Sequence, residues 1–254
     1  MISAQDIRRL SEITFVLEPI IDKKDCTTRF KDLPGKPLAD FLIAGINVGE
    51  TLEDYADSVI KDGNNQIYSH YVKALKESNK FKAKKYINLG LIEVLLVVIQ
   101  ARLTFKNLDQ ALNGFIKLLK NSPKQDLQNY QNAFHLAWAT SKNRIKQERL
   151  IAFDEISSKA NNMYERFLQI TKSFPEPDFS SYQVSLEYVK GFPTIKRFIS
   201  EIDEDKGLIS SIQDTFNALH EEDPIIKVGW LADLSAAAIF LYLSYQDPDS
   251  YVIN

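Results

Sequence analysis

Residues Asn88–Ala101 read NLGLIEVLLVVIQA, and this stretch decides the fold. Ten of the thirteen residues from Ile87 to Ile99 are large aliphatics, and they fall on every side of a helical wheel. A helix that is apolar all round belongs in the interior, with other helices packed around it. A buried strand would be shorter than this run, and Glu93, Gln100 and Arg102 interrupt a stretch too short to span a membrane. We therefore predict a central core helix.

The start of this helix has the features of an anion site. Asn88 is a favourable N-cap, whose side-chain oxygen can accept the backbone N–H of Gly90 or Leu91. The preceding segment, KALKESNKFKAKKY, contains six lysines and one acid. Free N–H groups and the positive end of the helix dipole favour a phosphate or carboxylate at such a position. The alternative is a solvated basic helix followed by an ordinary cap.

Composition limits the class of protein. A chain of 254 residues with 44% hydrophobic content and no Gly/Ser-rich linker is expected to form one domain, residues 1–254. The net charge of −3 argues against nucleic-acid binding. The single Cys26 and the three widely spaced histidines form no disulfide or metal-ligand motif, so no metal site is predicted. The N-terminus lacks a signal-type apolar segment, which favours a cytoplasmic protein without a membrane partner.

Apolar periodicity predicts helices along the whole chain. The first runs from about Ala4 to Ile21, and Val228–Tyr245 is a second core helix whose one charge is Asp233. The other predicted helices are Pro37–Lys61, Gln66–Ser78, Lys84–Phe105, Leu108–Leu119, Lys124–Ser141, Gln147–Ser173, Tyr182–Val189, Thr194–Ile202 and Gly207–His220. Asp22–Pro37 is a long polar loop, and loops of this length are often functional. We predict an all-α, single-domain bundle around a buried apolar central helix.

Several acids are candidates for chemistry. Glu53, Asp54 and Asp57 share a helix face, but magnesium–diphosphate enzymes carry two matching acidic motifs and no DDxxD occurs here. Glu93 and Asp233 differ from these because each lies in an apolar helix. A buried carboxylate is costly without a partner, so each should have a cationic or hydrogen-bonding partner or face a polar cavity. The alternative to a functional site is that each of these two carboxylates is paired within the core and has only a structural role.

Short motifs spread over most of the chain resemble those of one enzyme family. The segments KKDCTTRFKDL and DFLIAG are similar to that family's KPGNVxRxxDF loop and the helix that follows it. The segments INLGLIEVLLVV, AFHLAWATS, EYVKGF and DPIIKVG resemble four of its later motifs. The family that these segments resemble is the triphosphoribosyl-dephospho-CoA synthase family. The resemblance implies an all-helical enzyme that joins the ribose of ATP to the 2′-hydroxyl of 3′-dephospho-CoA and releases adenine.

The matched positions suggest roles for particular residues. Asp32 and Tyr188 would be catalytic, and the residues that bind phosphate or nucleotide would be Lys23, Lys24, Arg29, Asn88, Gly90 and Lys227. The resemblance implies a nucleotide or dephospho-CoA-like partner, with Mg²⁺ arriving with ATP; a homo-oligomer is compatible with the sequence. The family's Pro-Gly and Gly-Gly pairs are replaced here, and Tyr182 stands where the family has an aspartate. These changes favour an alternative hypothesis, a catalytically lapsed relative that binds a nucleotide or acts as a helical interaction module.

Overall fold

The computed structural model describes residues 2–80, 86, 88–138, 144–174, 180–223 and 225–247, and within them the fold is all-α, as predicted. Twelve helices are present in this part of the chain. They are α1 (Ala4–Ile20), α2 (Leu38–Asp62), α3 (Tyr71–Ser78), α4 (Leu89–Thr104), α5 (Leu108–Asn121), α6 (Lys124–Trp138), α7 (Arg144–Lys159), α8 (Met163–Ser173), α9 (Ser180–Lys190), α10 (Pro193–Ser200), α11 (Leu208–Glu222) and α12 (Val228–Tyr245).

The two apolar helices α4 and α12 form the centre of the bundle. Every residue of α4 from Leu91 to Ala101 is buried, and α12 packs along it while also contacting α1, α10 and α11. Both predictions of a core helix are therefore confirmed. Among the described residues, α12 is the one helix long and apolar enough to cross a membrane, and 72% of it is buried inside the bundle.

Within the described residues, three predicted helices differ from the structure by more than two residues at an end or are divided in two. The segment predicted as one helix, Gln147–Ser173, is divided into α7 and α8, because Asn162 caps α8 by accepting the backbone N–H of Glu165 at 2.9 Å. The helix predicted from Gln66 begins at Tyr71, since residues 66–70 form a turn. The helix predicted from residue 84 begins at Leu89; residues 81–85 and 87, which include three of the predicted basic cluster's lysines, lie outside the described residues.

The predicted capping bond at the start of α4 is wrong. Asn88 has φ −106° and ψ 26°, and its side chain caps no backbone N–H. Its backbone carbonyl instead accepts the N–H of Ile92 at 3.0 Å. The side chain is therefore left available for other contacts.

The loop between α1 and α2 folds back on itself beside the starts of α4 and α12. The Thr27 hydroxyl donates to the carbonyl of Lys36 at 2.8 Å and accepts the N–H of Leu33 at 3.2 Å. The loop is anchored to α1 by a buried ion pair, in which Nζ of Lys23 lies 2.5 Å from Oε1 of Glu18. These contacts place the loop against the core, where it forms one wall of a cavity.

Candidate functional site

A buried carboxylate, Glu93, lies near the start of the core helix α4, and tyrosines contact it. The Tyr130 hydroxyl donates to it at 2.7 Å. The Tyr71 hydroxyl lies 3.4 Å from its other oxygen and donates to the carbonyl of Leu89 at 2.9 Å. Burial raises the pKa of Glu93 to about 7, although the Tyr130 hydroxyl and the charge of Arg166 act in the opposite direction. Glu93 therefore has the hydrogen-bonding partner that its position requires.

Arg166, on α8, is a buried cation near this carboxylate. The residue is 1% exposed, and its guanidinium lies over the Tyr130 ring, 4.2 Å from the centroid. Its Nε donates to the Ser157 hydroxyl at 3.0 Å. Among the described residues, no carboxylate lies within ion-pair distance of Arg166, and no acceptor pairs with its terminal Nη atoms.

Glu93 and Arg166 both line a cavity of about 230 Å³, which we call the aromatic cavity. Its walls come mainly from the start of α4, from α6, α8 and α9, and from the start of α12. The lining residues are Leu89, Gly90, Glu93, Tyr130, Phe134, Trp138, Phe153, Arg166, Ile170, Ser181, Val184, Ser185, Lys227, Trp230 and Asp233. Most of this surface is apolar. The few charged groups in the wall therefore decide which ligands the cavity can bind.

A second cavity, of about 250 Å³, lies between the α1–α2 loop and the starts of α4 and α12; we call it the polar cavity. It is lined by Glu18, Asp25, Cys26, Thr27, Leu33, Lys36, Phe41, Asn88, Leu91, Val228, Gly229, Ala232 and Asp233. This is the place where the sequence predicts an anion site. The walls carry three acids and one lysine, so this cavity is more negatively charged than the anion site predicted from the sequence. Burial raises the pKa of the Cys26 thiol to about 12, which makes it a poor nucleophile at neutral pH.

Asp233 lines both cavities. Its carboxylate lies against Gly90 of α4, where a Cβ atom would be 3.1 Å from Cγ of Asp233 and closer still to Oδ2. No described residue donates a hydrogen bond to it. Burial raises the pKa of Asp233 well above its ordinary value, and the nearby charges of Glu18 and Glu93 act in the same direction. Asp233 therefore faces cavity space rather than a protein partner, which is one of the two outcomes expected from its sequence.

The structure brings three of the sequence-predicted residues to these cavities. Asn88 lines the polar cavity, and its buried side-chain nitrogen has no partner among the described residues. Gly90 and Lys227 line the aromatic cavity, and Lys227 is exposed at its edge. Lys23, by contrast, is fully buried in its ion pair with Glu18 and is not part of either cavity wall.

The other predicted site residues lie outside both cavity walls. Lys24, Arg29 and Asp32 are exposed on the loop; Arg29 lies over the Phe30 ring, and the Asp32 carboxylate accepts the N–H of Leu38 at 2.7 Å.

Tyr188 is completely buried. Its ring stacks on Phe167 with the centroids 3.9 Å apart, and it lines neither cavity. Its position next to the cavity wall suits a supporting role better than direct contact with a ligand.

The acidic helix face on α2 is occupied by ion pairs. Arg8 lies 3.2 Å from Glu53, and lysines lie 2.6 Å from Asp54 and 2.8 Å from Asp57. Within the described part of the chain, no three His, Cys, Asp or Glu side chains converge in a way that could hold a metal ion.

Sequence reasoning missed Arg166. The buried stripe of α8 consists of Met163, Arg166, Phe167 and Ile170, at positions i, i+3, i+4 and i+7. A guanidinium at a position of the apolar stripe is unusual, because charged residues are rarely buried without a partner. That departure from the helical pattern is the signal in the sequence that could have identified it.

Comparisons with protein-family models, with curated proteins and with solved structures found no match for this chain. The family resemblance therefore depends on the short motifs alone, and the candidate site depends on the geometry of the cavities.

Proposed function

We propose that this chain binds a nucleotide across the two cavities and transfers its pentosyl group to a hydroxyl acceptor, as the triphosphoribosyl-dephospho-CoA synthase family does. The observation that carries the proposal is the position of Asp233, which lines both the aromatic and the polar cavity and accepts no hydrogen bond from a described residue. A nucleoside has the matching arrangement, since its planar base is joined to a hydroxyl-bearing ribose.

Size and charge support this orientation. The cavities, about 230 and 250 Å³, are each below the usual range of roughly 300–1,000 Å³ for ligand sites, and Asp233 is a wall residue of both, so the proposal places one nucleotide across the pair. In the proposal the base lies among the aromatic rings and the ribose beside Asp233. Lys227 and Lys36 are exposed at the cavities, and neither forms an ion pair with a described residue, so both are available for phosphate oxygens.

The two carboxyl groups suit the proton transfers of such a reaction. The C1′–N9 bond breaks and adenine leaves with the bonding electrons, while the acceptor oxygen forms a new bond to C1′. Asp233, in its ionised form, accepts the proton of the acceptor hydroxyl, and its raised pKa makes that carboxylate a stronger base. Adenine takes up a proton from Glu93, whose pKa of about 7 keeps it partly protonated at neutral pH. Exchange with solvent then returns one proton to Glu93 and removes one from Asp233.

Mg²⁺ enters the proposal only as the counter-ion that accompanies ATP. The described residues offer no cluster of ligands for an ion of their own. The proton transfers at Asp233 and Glu93 do not depend on it.

Adenine release tests the reaction. Incubation of the chain with ATP and 3′-dephospho-CoA should release adenine, and Asp233→Asn should reduce the rate by about 100-fold or more, as expected for loss of a positioned base. Asp57→Asn, which changes a partly exposed acid on α2 outside both cavities, should retain the rate. Asp32→Asn tests the catalytic role implied by the family motif. Absence of adenine from the wild type would contradict the proposal.

A lapsed relative that only binds its ligand is the second candidate. The observation in its favour is that Lys24, Arg29 and Asp32, the charged residues of the family-like loop, lie outside both cavity walls. This candidate predicts ATP binding by calorimetry without adenine release.

A further inference from the structure

Arg166 carries a buried charge with no carboxylate at ion-pair distance among the described residues, although it interacts electrostatically with Glu93. It is 1% exposed, and its one hydrogen bond within the described residues is from Nε to the Ser157 hydroxyl. Taking a charge out of water costs several kcal/mol unless the charge is paired and hydrogen-bonded. The aromatic rings around the guanidinium offset part of this cost but leave its terminal donors unused.

The space in front of Arg166 fits a single aromatic ring. An engineered apolar cavity of roughly 150 Å³ holds benzene. The aromatic cavity has about 230 Å³, which leaves room for a ring with one small polar substituent. Phe134, Phe153 and Trp138 form adjoining walls, and their rings contact one another edge-on or at a tilt, with centroids 4.9–6.4 Å apart. Aromatic walls of this kind favour a flat ligand.

We infer that the aromatic cavity is a binding site for a small planar organic anion, whose carboxylate or similarly charged edge pairs with Arg166. A guanidinium matches a planar carboxylate because two parallel N–H groups can donate to its two oxygens. The inference goes beyond nucleotide transfer and does not depend on it, since a protein without catalytic activity can bind such an anion.

The charge of the cavity favours a monoanion over inorganic phosphate. Arg166 is its one buried cation among the described residues, and the walls also carry two carboxyl groups, Glu93 and Asp233. A dianionic phosphate would lack a second deep cation and would find few polar partners on these apolar walls. A ring with one carboxylate places its charge at Arg166 and its apolar surface against the aromatic residues.

Binding at Arg166 should be coupled to the protonation of Glu93. The groups that face or interact electrostatically with Glu93 are Tyr68, Tyr71, Tyr130, Arg166, Tyr188 and Asp233. An anion paired with Arg166 repels the ionised form of Glu93 and so favours its protonated form. The affinity should therefore fall as the pH rises through about 7, by up to roughly tenfold per pH unit for one linked proton.

Calorimetry with benzoate, benzamide and inorganic phosphate tests the inference. Benzoate should bind at least about tenfold more tightly than benzamide, its neutral analogue, and phosphate should not bind. Arg166→Gln should weaken benzoate binding by about 10- to 100-fold. Arg197→Gln removes a partly exposed arginine on α10, which pairs with Glu222 and lines neither cavity, and should leave benzoate binding unchanged.

Further measurements keep the test decisive if Arg166→Gln does not fold. Arg166→Lys retains the charge but loses the two-point geometry, and it should bind benzoate with intermediate affinity. Glu93→Gln should reduce the pH dependence of benzoate binding near neutrality, and any part that remains reports on Asp233. Equal binding of benzoate and benzamide, or no benzoate binding by the wild type at millimolar concentration, would overturn the inference. Benzoate binding without ATP binding would contradict the proposed function alone.

Discussion

The carboxylate of Asp233 on α12 packs directly against Gly90 on α4, and no side chain larger than hydrogen fits between them. This contact joins the starts of the two core helices beside both cavities, since Asp233 lines each of them. Gly90 belongs to the Asn-Leu-Gly motif that resembles the synthase family. The glycine is required here for close approach of two helices, and no special backbone dihedral is involved.

Replacement of Gly90 should therefore displace Asp233. We expect Gly90→Ala to lower the free energy of unfolding by about 1–3 kcal/mol through overpacking, measured by urea denaturation. Gly229→Ala is the matched control, because nothing lies within 4 Å of a Cβ atom at that position of α12. It should leave stability unchanged or raise it by up to about 1 kcal/mol. Equal stability of the two variants would show that the Asp233 contact is not tight.

The buried face of α4 should be sensitive to cavities. Leu95 is completely buried, so Leu95→Ala should cost about 2–5 kcal/mol of unfolding free energy. Ile46→Ala on α2, where the side chain is 65% exposed, should change stability by less than about 0.5 kcal/mol. A cost below about 1 kcal/mol for Leu95→Ala would contradict the position of α4 at the centre of the core.

Lys23 should stabilise the fold through its ion pair. Lys23→Met leaves Glu18 as a buried carboxylate without its partner and should cost about 3–5 kcal/mol. The double variant Glu18→Leu/Lys23→Met should recover most of that loss, because an apolar pair replaces both charges. Thermal and urea unfolding measure both effects. A Lys23→Met variant as stable as the wild type would instead favour the phosphate-binding role predicted from the sequence.

The stability of the protein should depend on Glu93 between about pH 4.5 and 7. Burial raises the pKa of Glu93 from 4.5 to about 7, so the folded state holds this proton more tightly than the unfolded state. The stabilisation is complete below pH 4.5 and is lost as the pH rises to about 7, an effect of about 3 kcal/mol.

The free energy of unfolding in urea is measured for the wild type and for Glu93→Gln at pH 5 and at pH 8. The difference between the two proteins separates the contribution of Glu93 from those of other acids. The variant should lose less stability than the wild type between pH 5 and pH 8. Glu221→Gln, at an exposed acid on α11, should follow the wild type. Parallel pH profiles for wild type and Glu93→Gln would contradict the effect of burial on the pKa of Glu93.

The fold was predictable because the two core helices are apolar on all sides, a property that each segment shows in its own sequence. An apolar run such as Leu91–Ala101 has no exposed face, so α4 could be identified as the core helix without knowledge of its neighbours. The predicted helix Gln147–Ser173 was wrong because its apolar spacing continues across the break. The helix is divided because the side chain of one residue, Asn162, caps the start of α8, and the apolar pattern does not show this.

The site was less predictable because it depends on contacts between distant segments. Position 166 is separated by 73 residues from Glu93, which lines the same cavity, and no local pattern connects them. The charged loop residue Arg29 matches a family motif, yet its exposed position follows from how the loop folds around Thr27. Residue type indicated which groups could bind an anion, whereas only packing determines which of them share a cavity.

Calorimetric titration of the wild-type chain with ATP tests the central claim, that the two cavities lined by Asp233 form a nucleotide site. The account predicts saturable binding at or below millimolar ATP. It also predicts that Lys227→Gln weakens binding by about 10- to 100-fold without lowering the melting temperature, because Lys227 is exposed at the cavity edge. No heat of binding at millimolar ATP, or unchanged affinity in both Lys227→Gln and Lys36→Gln, would contradict it.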